Sequence, residues 1–574
     1  MWGAAMALAA AAGASLGAFA EPAGRSPETT VASVRLAGPY LAAQTAQAAG
    51  DWAAAADYTT RALAADPDET RLLRQAMVLT LASGDLEAAS LLAPSLGPDA
   101  TERVLLPLVD AARAVESADW QAAQERLESL SDRGFQRGLR RALLAVVAAE
   151  RDDAAEARAH LEALAGPEGD AALAWARFID LALAIGETQA AEAAAARFAA
   201  ADPGQGLMLA VVRRLRGADR FAAAEALARD GLARYGEGAL FAEEAALAAA
   251  GVALYKPAPD ARRAFADALL DLARQADRRG SPAMTLVLAH LAQRLAPQEA
   301  SAALIIGAVA ERFGRAAEAE RAYAAVPSGD ALFLQAALRR AIVREAAGDR
   351  SEALAQLEKL AARFPDSIAP LAALGEMRRT GGDERGALSA FETAADRMEA
   401  LGLKPSRQLH FALALSRYET DGWERAAVPL AAALAVQPED AQARALAALV
   451  TLRAGDAEGA SSHAFAALDV APDSPAALRA YAEVMLARGK AAEAVEALEA
   501  AAAAAPTAPE INEALGDAYW QAGRRREAAF QWQRASLDQR DGERLAKLAR
   551  KLQFGLDLRA DAPVAPNEVR AAGP

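Results

Sequence analysis

Along most of its length the chain alternates apolar and polar residues at three- and four-residue intervals, in stretches of about 13 residues closed by glycine or proline. The stretches come in pairs. The first of each pair ends at a Gly, the second at a Pro or Asp-Pro, and the pattern recurs every 34 residues. Gly455, Gly489 and Gly523 keep that interval, as do Pro438, Pro472 and Pro506, and Ala460, Ala494 and Ala528. Upstream, Gly314, Gly348 and Gly382 repeat it together with Ala319, Ala353 and Ala387, and Gly50 and Gly84 do so near the start. Glycine after a helix takes the left-handed C-cap conformation, and proline suits the first turn of the next helix. The predicted repeat is helix–turn–helix, and the fold class is an all-α solenoid of tandem repeats. Gly307, Gly375 and Gly516 on first helices, and the Ala series on second helices, mark where two helices cross too closely for a bulky side chain.

The frame places repeats near 36, 70, 104, 138 and 172, then near 266, 300, 334, 368, 407, 441, 475 and 509. The step from 368 to 407 is longer, with "EALGLKPS" absorbing the excess as a loop. Between about 205 and 265 the frame blurs, with one plausible repeat near 205 and a shortened one that includes "YGEGALFAEEAALAAAGVALYKPAPD", and Lys256-Pro257-Ala258-Pro259 cannot continue a helix. The expected layout is an N-terminal array over 36–237, an irregular junction over 238–265 and a C-terminal array over 266–540. Residues 541–558 read as a capping helix, with Leu545, Leu548 and Leu552 inward and Arg544, Lys547, Arg550 and Lys551 on a solvated side. Residues 21–35 read as a linker and 559–574, with three prolines, as a disordered tail.

The repeat resembles the tetratricopeptide repeat, whose signature reads W-x2-L-G-x2-Y, then A-x3-F, then P. Asn512, Leu515, Gly516 and Tyr519, then Ala528 and Trp532, follow it, with Asn512 in place of the first Trp and Arg540 in place of the Pro. Leu371, Leu374 and Gly375 with Ala387 and Phe391, and Ile306 and Gly307 with Ala319 and Tyr323, do the same. The resemblance implies a right-handed superhelical solenoid whose first helices line a concave groove for an extended peptide or a partner's helix. Carried onto this chain, the groove positions are Glu510, Glu513, Asp517, Trp520 and Gln521 in the last repeat, and Arg479 and Glu483 in the one before. Phe411, Leu415 and Tyr418 follow in repeat 407, and Glu376 and Arg379 in repeat 368. Their charges are mixed, unlike a basic carboxylate clamp. Trp520 has two readings: an aromatic anchor in the groove, or packing against the capping helix.

Composition narrows the chemistry. Hydrophobic residues make up 53% but aromatics only 5%, because alanine, the best helix former, dominates. A net charge of −15 argues against nucleic acid as partner. With no cysteine there is no disulfide, thiolate nucleophile, Cys-based zinc site or lipidated N-terminal Cys. His160, His290, His410 and His463 form no metal-binding spacing and read as surface or groove histidines. No phosphate loop and no nucleophile elbow occurs, and "DPGQGLM" at 202–208 reads as a loop between helices. Asp152-Asp153 and Glu243-Glu244 are adjacent and diverge by roughly 100° on a helix, so they read as solvated faces. Arg524-Arg525-Arg526 reads as a solvated turn with local ion pairs, or as a contact for an acidic partner. The expectation is a protein-binding scaffold with no enzymatic activity, no metal and no cofactor.

At the N-terminus, an apolar run over residues 4–19 ends in Ala18-Phe19-Ala20, an A-x-A site followed by Glu21-Pro22. That is the outline of a secretory signal peptide over 1–20, although no Lys or Arg precedes Arg25. No other segment is long enough and free enough of charge to span a membrane. The segment around 510–535 also resembles the C-terminal repeat of exported multi-repeat envelope scaffolds of Gram-negative bacteria, among them adaptors that bring substrates to a periplasmic protease. Those proteins are often lipoproteins, a feature that cannot carry over to a chain without cysteine. The expected location is the periplasm. A cytoplasmic co-chaperone or assembly factor and an accessory subunit of a polysaccharide-export machine are the alternatives.

Overall fold

The computed structural model describes residues 27–556 except 93–94, 96–104, 132–133, 152, 165–170, 185–187, 236–238, 254–260, 331, 402–405, 421 and 540. The apolar segment 1–20, the Lys256–Pro259 stretch and the tail 559–574 lie outside these residues. The described residues form thirty α-helices and no strand. In chain order the first are α1 (Pro27–Ala48), α2 (Trp52–Ala65), α3 (Thr70–Ala82), α4 (Leu86–Leu92), α5 (Leu105–Glu116) and α6 (Trp120–Glu128). Then come α7 (Gly134–Glu150), α8 (Ala154–Leu164), α9 (Ala171–Ala184), α10 (Thr188–Ala200), α11 (Gln205–Gly217), α12 (Phe221–Tyr235) and α13 (Ala239–Ala249). The middle of the chain holds α14 (Ala261–Arg278), α15 (Pro282–Leu295), α16 (Ala300–Arg312), α17 (Ala316–Ala324), α18 (Phe333–Ala346) and α19 (Arg350–Arg363). The C-terminal repeats are α20 (Ala369–Thr380) with α21 (Glu384–Ala400), α22 (Arg407–Glu419) with α23 (Trp423–Val436), and α24 (Ala441–Arg453) with α25 (Ala457–Val470). Two more repeats, α26 (Pro475–Ala487) with α27 (Ala491–Ala504) and α28 (Pro509–Gln521) with α29 (Arg525–Asp538), precede α30 (Gly542–Phe554).

First helices thus begin within a few residues of the positions expected from the 34-residue frame. α1 takes in residues 27–35, which the sequence reading leaves as a linker. Most turns between paired helices contain a left-handed glycine, followed by an aspartate at Gly50, Gly84, Gly348, Gly382 and Gly455. At Gly455-Asp456 the glycine has φ +86° and the Asp456 carboxylate accepts from the Gly459 amide at 2.8 Å, capping α25. Thirty-four residues after Gly84 the left-handed place is filled instead by Ala118, at φ 58°.

Paired helices approach closely where the pattern places small residues. A Cβ added at Gly516 would meet the Trp532 ring at 2.5 Å, and the same crowding recurs at Gly375 with Phe391 and at Gly307 with Tyr323. The aromatic 16 residues on from each of these glycines therefore lies flat against bare backbone. Asn512, at the signature's Trp position, is fully buried and donates to the Pro506 carbonyl at 3.0 Å, so the substitution keeps the position in the core.

The chain divides into two compact units that do not follow chain order. Among the described residues, the first joins those within 1–151 with 261–297 and 308–315; the second holds those within 152–260, 298–307 and 316–574. One reading of surface charge needs correcting within the second. Glu244 is buried and accepts from Arg213 at 2.6 Å and lies 3.3 Å from Arg216, while burial pushes the neighbouring Glu243 carboxyl up. These adjacent carboxylates serve an internal ion cluster, since α13 packs on α11 and turns that face inward. Asp153 is exposed, as expected, and also caps its helix, accepting from the Glu156 amide at 2.9 Å. No helix among the described residues is long and apolar enough to cross a membrane.

Candidate partner-binding groove

In the first compact unit the first helices α3, α5 and α7 are covered by the chain's own α14–α15 hairpin. The hairpin buries Phe265, Leu269 and Leu272 from α14 and Leu288 and Leu291 from α15. At roughly 2 kcal/mol per buried Leu or Phe, this is core packing. At its edge Arg294 pairs with Glu116 and with Glu87, each at 3.1 Å. His290 sits under the α3–α4 turn, 3.0 Å from where a Cβ on Gly84 would lie, and burial lowers its pKa to about 4. It is therefore a packed, half-buried imidazole held neutral by its surroundings.

The C-terminal array of the second compact unit gathers the expected groove residues from distant repeats. Glu510 on α28 acts on the charge of Arg379, four repeats earlier, and on that of Arg479, one repeat earlier. Burial opposes the charge on Arg479, but Glu483, Tyr418 and Glu510 outweigh it and raise its pKa; the Arg479–Glu483 pair measures 2.8 Å. Arg379 pairs with Glu376 at 2.6 Å, and that hydrogen bond raises its pKa. Glu376 and Gln521 are exposed, and Phe411 and Leu415 are half-buried against the core. Tyr418 departs from the expectation. It is buried, its ring is covered by the Arg453 guanidinium at 4.2 Å, and it belongs to the floor instead of the accessible lining.

Glu513 and Asp517 are already engaged. The Lys551 ammonium, on α30, lies 2.6 Å from Glu513 and 2.7 Å from both Asp517 oxygens. Asp517 also accepts from the Trp532 indole N–H at 2.8 Å, a donor that Phe391 at the equivalent place lacks. Burial disfavours charge on Glu513, but Lys551 and Lys547 outweigh it and lower its pKa; at Asp517 burial prevails and the pKa is raised. Toward the other end of α30, Arg544 pairs with Glu419 on α22, and Glu543 lies 2.9 Å from Arg385 at the start of α21. The helix therefore spans side chains from repeats 368, 407 and 509.

This corrects the expected orientation of α30. Lys551 is 3% exposed while Leu552 is 40% exposed, and Leu548 is the helix's buried leucine. The reason is the seat: two carboxylates of α28 offer a buried ammonium three acceptors, which a leucine could not use. The sequence signal was present in the carboxylate pair at i and i+4 on α28, but nothing local says which cation answers it. Trp520 stacks at 5.5 Å on Trp532 and lies where a Cβ on Gly555, just past α30, would be, with Arg525 5.0 Å over its ring. Of its two readings the structure shows the packing contact. Arg524 pairs with Glu527 at 3.0 Å and Glu499 at 3.4 Å, so the first arginine of the run sits in the turn with local ion pairs, while Arg525 and Arg526 open α29.

No family model matches the chain, and no curated protein matches it. Solved structures that resemble it are helical-repeat proteins. A tetratricopeptide repeat protein from Parabacteroides merdae is 14% identical with TM-score 0.37, over 45% of this chain and 99% of its own. The Cut9–Hcn1 assembly of the APC/C is 15% identical with TM-score 0.36, over 93% of this chain and 98% of that one. Yeast Tom70 is 12% identical with TM-score 0.31, over 73% and 96%. At these TM-scores the likenesses add nothing to the fold, which stands on the repeat register and the glycine–aromatic packing of the chain itself.

Proposed function

We propose that this protein is a non-enzymatic scaffold or adaptor that binds a protein partner on the first-helix face of its C-terminal array, in the bacterial periplasm. The observation that carries the reading is a set of charged side chains from three separate repeats, the Arg379–Glu376 and Arg479–Glu483 pairs, with Glu510 of the last repeat helping to raise the pKa of both arginines. Such a set is built from side chains that no single repeat contains, which is how a repeat array obtains specificity. In the first compact unit the first helices α3, α5 and α7 are packed against the chain's own α14–α15 hairpin. The periplasmic location rests on the apolar N-terminal segment and its A-x-A site.

Two experiments test this. A photo-crosslinking residue at exposed Gln521 or Glu376 should capture one partner, and capture should fall when Arg479 and Glu510 are changed to Ala together. Equal capture from an outer position such as exposed Phe530 would sink the groove assignment. N-terminal sequencing of the mature protein should begin at Glu21; an intact Met1 in a cytosolic fraction would leave the cytoplasmic assembly-factor alternative.

A further inference from the structure

We propose that α30 is an internal stand-in for the partner: the groove of the C-terminal array accepts a cationic amphipathic helix, and α30 occupies that seat until such a helix replaces it. The inference rests on the protein-binding reading above and gives its site a ligand chemistry. The seat is built, not incidental. Three acceptor oxygens from Glu513 and Asp517 surround an ammonium that is 3% exposed, and Trp532 holds one of those carboxylates from below. At the far end Glu419 receives Arg544. The contacts that read α30 are thus Arg544, Leu548 and Lys551, at spacings of four and three residues, which lie on one face of a helix. A foreign helix with a basic residue, an apolar residue four positions on and a lysine three further would make the same contacts.

The attachment is also of a kind that can exchange. α30 packs along α29, but reaches α28 and α22 through long side chains, with exposed Lys547 adding a second contact to Glu513 at 3.2 Å, and its outward residues Arg550 and Leu552 are exposed. A net charge of −15 favours a cationic occupant over an acidic one. Because α30 is tethered, its effective concentration at the seat is on the order of millimolar, so it lowers the apparent affinity of any competitor without abolishing binding.

The test uses the full chain and a fluorescent peptide of residues Asp541–Gly555, cross-linked through the exposed positions Ala546 and Arg550 to hold it helical. The variant R544E/K551E keeps every groove residue but evicts α30. It should bind the peptide at least tenfold more tightly than the wild-type chain, and the same peptide carrying Lys551→Glu should not bind. A folded double variant that binds no better than wild type, or that binds both peptides alike, overturns the proposal. A second measurement needs no variant: excess peptide added to the wild-type chain should speed hydrogen exchange in α30, and unchanged exchange at the highest soluble peptide concentration overturns it. Light scattering should find the wild-type chain free of dimers made by exchange of α30, since such dimers would make a second copy the occupant. If the peptide fails while Gln521 still captures a partner, self-occupancy falls and the scaffold reading stands. If the peptide exchanges but no partner is captured, the scaffold reading falls instead.

Discussion

A methyl group at Gly516 would stand 2.5 Å from the Trp532 ring, and Trp532 is itself 1% exposed, so neither can give way freely. Gly516→Ala should cost about 1–3 kcal/mol, read by chemical denaturation, with the loss confined to the C-terminal repeats. The opposite sign is expected at Ala118, an L-residue held at φ 58° where other turns have glycine. Left-handed backbone costs such a residue roughly 1–2 kcal/mol, so Ala118→Gly should raise stability by up to about 1 kcal/mol after the entropic cost of glycine. A lower stability would mean that the turn's conformation does not matter there. The Gly516 crossing is legible from spacing alone, because one residue's place in the repeat fixes its neighbour's. Lys551 is not: its heptad-like surroundings read as a wet face, and only the carboxylates of another helix bury it.

At the scale of helices, α30 and the α14–α15 hairpin carry opposite kinds of attachment. The seat of α30 is ionic, and its two carboxylates respond to pH with opposite signs. Glu513, with its folded pKa lowered, contributes stability that is present above the ordinary carboxylate value and lost as pH falls through the lowered one. Asp517, with its folded pKa raised, contributes stability that is full below the ordinary value and lost as pH rises through the raised one. At neutral pH, therefore, Glu513→Gln should loosen α30 more than Asp517→Asn, whose amide oxygen still accepts from Trp532. Hydrogen exchange across 542–554 measures this, and the reverse ranking would contradict the assignment. Trp520→Ala should lower thermal stability and speed the same exchange, since the ring packs on Trp532 and on Gly555. The α14–α15 hairpin is held by apolar burial, with one titrating weak point. His290 has a folded pKa of about 4 against an ordinary value of 6.5. Its contribution is thus whole above pH 6.5 and lost as pH falls toward 4. Melting of the first compact unit should decline over that window, and His290→Gln should flatten the decline; an unchanged profile would place the acid sensitivity elsewhere.

For the molecule as a whole, the 34-residue interval determined the fold class, the starts of most helices, the turns and the glycine–aromatic crossings. These are local consequences of period, capping and side-chain size, and each repeat states them again, so even an alanine-diluted copy is readable. The chemistry of the groove was half legible. The sequence named Glu513, Asp517, Arg479, Glu483, Arg379 and Glu510 by position. It did not foresee that Glu510 would sense Arg379 four repeats away, that Tyr418 would be floor, or that Glu243 and Glu244 would be internal. Nor did it show that two first-helix faces are filled from within, by α14–α15 in one compact unit and by α30 in the other. Those facts depend on which parts of a coiled chain meet after many residues, and long-range pairings leave no mark on a local period. What a repeat looks like was determined by its own residues; what its inner face touches was decided by the tertiary structure, because burial of a charge depends on a partner that the sequence places elsewhere.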